Sequence, residues 1–143
     1  MKHFIFYMAT LLILPFAASA LAQSENLSPY DSTQADAVMN QYFTALAGGD
    51  VATLKTLLGG RLKAKRTPLL NNPEYAGYLA TTHVNASFQI LGIHSTAPNT
   101  VSVDVLVSFS QDETIRKTYT LKRNASSTAA VPYRIVSEAA VAD

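Results

Sequence analysis

The chain has 143 residues, no cysteine, and 11 basic against 10 acidic side chains, for a net charge of +1. That length suits one domain with a real hydrophobic core. The missing thiol excludes disulfides, thiol nucleophiles and cysteine-ligated metals. The near-neutral balance argues against general nucleic-acid binding, which depends on neutralising phosphates.

Residues 1–22 read as a cleavable signal peptide. Lys2 and His3 precede an apolar run from Phe4 to Phe16, and small residues follow from Ala17 to Ala22. Two small-x-small patterns overlap there, and cleavage after Ala22 would leave Gln23 first. An apolar run of about 13 residues is short of the roughly 20 that a membrane span needs. The mature protein is therefore expected to be secreted or periplasmic, with no membrane span and no lipid-modified cysteine. Loss of Lys2 with the leader makes the remainder neutral. Asn-x-Ser sequons stand at Asn26, Asn85 and Asn124, relevant only in a glycosylating host.

Residues 23–32 are polar, contain Pro29 and read as a flexible lead-in to a single domain over 33–140. A helix is predicted from Thr33, capped by the Asp31-Ser32-Thr33 group. Ala35, Val38, Met39, Tyr42, Phe43 and Leu46 form its apolar face, and Gly48-Gly49 ends it. Asp50 caps a shorter helix that buries Leu54, Leu57 and Leu58 and stops at Gly59-Gly60. Over Arg61–Thr67, Leu62 and Ala64 alternate with four basic residues, which predicts a charged edge strand closed by Pro68. Asn72 and Pro73 predict a third helix, with Tyr75, Tyr78, Leu79 and Thr82 turned inward.

The period then changes to two. Ala86, Phe88 and Ile90 open a strand whose phase slips near Leu91–Gly92, the mark of a β-bulge. Val101, Val103, Val105, Val107 and Phe109 make the clearest strand, with the Asp104 row on its other face. Ile115, Lys117, Tyr119 and Leu121 mark a third strand, and Val131, Tyr133 and Ile135 a fourth. Short turns between them predict an antiparallel meander. Helices first and strands last give an α+β class, with the helices packed on one face of a curved antiparallel sheet.

The run Val38-Met39-Asn40-Gln41-Tyr42-Phe43-Thr44-Ala45-Leu46-Ala47-Gly48-Gly49-Asp50, followed by Leu54 and Leu57-Leu58, resembles the opening of the nuclear transport factor 2-like superfamily. That resemblance implies a helix, a Gly-Asp turn and a second helix covered by a curved sheet, with a cone-shaped pocket between them. A cystatin-like fold is the alternative. The superfamily includes ketosteroid isomerases, polyketide cyclases and dehydratases that use an Asp or His base, and also many binding domains. The family's catalytic aspartate matches no position here.

The acids known from the elements have structural roles. Asp104 points away from the pocket, Asp50 caps a helix, Asp36 and Glu74 open helices, and Asp112 and Glu113 lie in a turn. No inward carboxylate is expected, no residue is assigned a catalytic role, and neither a metal site nor a cofactor is implied. The candidate ligand-binding residues are Tyr42, Tyr78, His83, His94, Lys117 and Tyr119. Tyrosines offer apolar walls with polar tips. Histidines titrate near neutrality, and Lys117 would meet an acidic ligand if its face is inward. These residues favour a non-catalytic domain that binds a small molecule or a protein. The alternatives are an isomerase- or cyclase-type enzyme with a histidine base, and a homodimer formed through the outer sheet face.

Overall fold

The computed structural model describes residues 27–110, 112–124 and 131–142. The signal-peptide assignment and most of the loop after Asn124 lie outside the described residues. Among the described residues four helices, α1 (Pro29–Gly48), α2 (Val51–Leu57), α3 (Gly60–Leu70) and α4 (Tyr75–His83), precede four strands, β1 (Ser87–Ala97), β2 (Thr100–Ser108), β3 (Thr114–Arg123) and β4 (Tyr133–Ala140). The sheet order is β1-β2-β3-β4 with every neighbouring pair antiparallel. The α+β class and the meander are thus as the residue pattern predicts. Among the described residues no helix is long and apolar enough to cross a membrane.

α1 begins four residues earlier than Thr33, so the lead-in ends sooner than expected. Ser28 is the true cap: its Oγ accepts from Asp31 N at 3.1 Å, and Pro29 occupies the first turn where its missing N–H costs nothing. Ala35, Val38, Met39, Tyr42, Phe43, Ala45 and Leu46 are buried in one stripe. The helix stops at Gly49, whose left-handed φ of 65° turns its N–H back onto the carbonyls of Ala45 and Leu46. Asp50 then caps α2 through Thr53 N at 3.0 Å.

The predicted edge strand over 61–67 is instead the body of α3. Leu62, Arg66 and Leu70 fall at four-residue steps, and both leucines are buried. Arg, Lys and Ala are strong helix formers, and two alternating pairs were too short a sample to set the period. Pro68 lies inside this helix rather than closing it. The third predicted helix begins two residues late, because Asn72 Oδ1 caps a turn by accepting from Glu74 N at 3.0 Å. On α4, Tyr75 and Leu79 are buried as expected, whereas Tyr78 is 62% exposed and Thr82 is also exposed.

Val101, Val103, Val105 and Val107 are buried against the helices, with Tyr119, Leu121, Tyr133 and Ile135 beside them. The register slips between Ile90 and Gly92, where the bulge was expected, and leaves Leu91 unpaired. Another slip occurs where Thr120 pairs Ser137 but Leu121 pairs Ile135, so Val136 is the extra residue on β4. Leu58 bridges in parallel to Ile135, and Gly59 N donates to Ile135 O at 2.9 Å. This tie covers the start of β4 and places α3 over that edge of the sheet.

Candidate functional site

A cavity of about 920 Å³ lies between α3, α4, the end of α1 and the inner face of β2, β3 and β4. It receives Tyr42 and Leu46 from α1, and Leu62, Lys65 and Arg66 from α3. α4 contributes Tyr75, Tyr78, Leu79 and His83, and the sheet contributes Phe88, Val107, Lys117, Tyr119 and Glu138. Strand alternation explains the sheet members, since Lys117, Tyr119 and Leu121 project on one side of β3.

Five of the six candidate residues therefore meet at this cavity: Tyr42, Tyr78, His83, Lys117 and Tyr119. His94 does not. The bulge at Leu91 reverses its phase and puts it on the outer face, opposite Ser102. There His94 Nε2 lies 3.3 Å from Asp104 Oδ2, while Thr118 Oγ1 donates to Asp104 Oδ1 at 2.6 Å and Arg116 stands 3.8 Å away. Asp104 thus faces outward, as alternation predicts.

The cavity does contain a carboxylate, contrary to the expectation that none would face inward. Glu138 pairs with Arg66 of α3, and each side chain is 20% exposed. Neither residue was singled out from the sequence. Simple alternation from Tyr133 and Ile135 would send Glu138 outward, and only the extra residue Val136 turns it in, opposite Tyr119. Arg66 was hidden by its assignment to a strand. The four-residue spacing of Leu62, Arg66 and Leu70 was the available signal.

Two phenols sit beside this ion pair. Tyr42 and Tyr119 are buried, with ring centroids 5.7 Å apart in an edge-on arrangement. Burial first, and then the Glu138 carboxylate, hold the Tyr42 hydroxyl far above the ordinary phenol range. Tyr119 is raised in the same direction by burial, then by Tyr42 and Glu138. Both groups therefore remain O–H donors at any physiological pH.

Further lining is aromatic. Phe88 stacks on Phe43 at 4.0 Å with an 11° interplanar angle, and His83 lies nearly parallel to Phe88 at 6.4 Å. Tyr75 and Tyr78 are also nearly parallel, 6.1 Å apart. His83 Nδ1 lies 2.9 Å from the Leu79 carbonyl, which can only accept, so the proton of the neutral ring belongs on Nδ1. The histidine-base alternative needs His83 and a tyrosine hydroxyl within reach of one bound substrate atom, and His83 shares this cavity with Tyr42, Tyr78 and Tyr119.

A smaller cleft of about 410 Å³ lies at the other end of the sheet, where Asp31, Arg123 and Tyr133 meet. Asp31 Oδ1 accepts from Arg123 and, at 2.9 Å, from the Tyr133 hydroxyl. The Arg123 guanidinium also lies over the Tyr133 ring, 5.2 Å from its centroid. Every polar group in this cluster has a partner within it, and its evident work is to fasten the first turn of α1 to the sheet. Tyr133 belongs here and not to the larger cavity.

Comparison with protein-family models, with curated proteins and with solved structures finds no match to this chain.

Proposed function

We propose that this chain is an exported binding domain of nuclear transport factor 2-like architecture, whose helix–sheet cavity takes up a small amphipathic molecule without transforming it. The observation that carries this reading is the cavity itself, about 920 Å³ with aromatic walls and a few polar groups converging on one side. Ligand pockets are typically about 300–1,000 Å³ and have this mixed lining. The helix, Gly-Asp turn and second helix over residues 29–57, followed by the meander, support the architectural part. Uptake is favoured over turnover because the inward carboxylate on the sheet, Glu138, is engaged by Arg66.

The test uses the mature domain and the neutral dye N-phenyl-1-naphthylamine. Saturable fluorescence enhancement at one site is expected. Thr82→Trp, an exposed position on the α4 wall, should fill the entrance without disturbing the core and weaken the dye at least about tenfold, or roughly 1.4 kcal/mol. Absence of dye binding, or equal binding by the Thr82→Trp variant, would overturn the reading.

A further inference from the structure

Lys117 occupies an unusual position for a lysine. It lies on the inner face of β3, where its cross-strand neighbours are Val105 on β2 and Ala140 on β4. Its face also carries Ile115 and Tyr119, and it lines the cavity at intermediate exposure. A lysine at a solvated edge would be expected to alternate outward, as Lys122 does five pairs further along the strand. The nearest inner-face carboxylate on β4 is Glu138, opposite Tyr119, and Arg66 already holds it. Among the described residues Lys117 has no ion-pair partner.

The same imbalance extends around the cavity. Four cationic side chains line it, Arg61, Lys65, Arg66 and Lys117, against the two carboxylates Glu74 and Glu138. An excess of positive charge at a partly desolvated wall favours an anion, and a cation without a partner there offers a charge-assisted hydrogen bond. The same cavity is lined by flat surfaces: the stacked Phe88 and His83 rings and the parallel Tyr75 and Tyr78 rings. Flat ring faces select planar apolar bodies through offset stacking.

We infer that the ligand is a planar aromatic carboxylate, its carboxylate on Lys117 and its ring system against the aromatic wall. This deepens the binding reading above and rests on it. Lys117 is a specificity-determining contact, while the Arg66–Glu138 pair and the tyrosine hydroxyls border the same space.

The experiment measures displacement of the neutral dye by 2-naphthoate, 2-naphthamide and decanoate. The naphthoate should bind about tenfold tighter than its neutral amide, the usual scale of a charge-assisted contact in a partly dry site. It should also bind tighter than the non-planar decanoate. Lys117→Met should abolish the preference for acid over amide, Lys117→Arg should restore it, and Lys122→Met, on the outer face, should leave both the preference and dye binding unchanged. Circular dichroism of each variant confirms that it is folded. If the dye binds but acid and amide compete equally in the wild type, the anionic assignment is wrong and the cavity reading survives. An acid preference that persists in folded Lys117→Met likewise overturns the role of Lys117. Decanoate equal to naphthoate removes the planar requirement, and failure of the dye itself removes the reading beneath.

Discussion

Asp31 shows how one side chain can tie distant parts of the chain together. Its carboxylate accepts from Ser28 in its own turn and from Arg123 and Tyr133 at the far end of the sheet. The Ser28 hydroxyl is the main cause that holds its pKa below the ordinary 3.8; burial opposes this, and Tyr133 and Arg123 add to the lowering. Tyr133 is pushed up to about 12, first by burial and then by its hydrogen bond to Asp31. A carboxyl whose folded pKa is depressed binds its proton more readily when unfolded. Its stabilisation is therefore full above the unfolded pKa and is lost as pH falls through the folded value. Asp31→Asn should destabilise the fold by about 1–2 kcal/mol at neutral pH, because hydrogen bonds to a charged acceptor are replaced by weaker ones. The gap in thermal midpoint between wild type and variant should narrow as pH drops below about 4. A gap that stays constant from pH 7 to pH 3 would show that charge at Asp31 contributes nothing.

At the level of elements, the joint between α1 and α2 also sets where α4 lies. Gly49 has φ 65°, and a Cβ there would stand 2.3 Å from the backbone oxygen of Ala76 on α4. The left-handed conformation and the close approach both require glycine. Gly49→Ala should cost more than the roughly 1 kcal/mol of a glycine-to-alanine change at a neutral site, since it adds backbone strain to a backbone clash. Gly48, one residue earlier, has open space around the same position, so Gly48→Ala should be neutral or slightly stabilising. Urea unfolding of the two variants checks the contrast, and equal midpoints would mean that α4 simply moves away. Much of this level could be read from residue spacing. The stripe from Ala35 to Leu46, the valine row of β2 and the bulge at Leu91 all follow from periodicity. α3 did not, because four alternating residues fit a strand while the decisive Leu62–Leu70 spacing continues past a proline.

For the whole molecule, packing settles which side chains share the cavity. Tyr42, Tyr78, His83, Lys117 and Tyr119 come together from three separate elements, α1, α4 and β3, around the space that α3 closes. His94 is excluded by one unpaired residue, and Glu138 is admitted by another. Such an assembly, with its core resting on apolar burial and no disulfide, suits the exported domain proposed here. Expression of the full chain in a secreting bacterial host should yield a product beginning at Gln23 in the periplasm or medium, identified by intact mass and N-terminal sequencing. Retention of the uncleaved chain in the cell would refute the proposed leader.

The amino-acid order by itself determined the α+β class, the helix stripes, the β2 valine row and the meander, because periodicity and turn chemistry act over a few residues. It also placed most of the candidate side chains on inward faces. Only the tertiary structure decided the contents of the site. The Arg66–Glu138 pair joins residues 72 positions apart, and Glu138 faces inward only because Val136 is extra in the pairing with β3. A one-residue slip reverses every side chain beyond it, and that slip is a property of two strands together, which neither strand's own pattern contains.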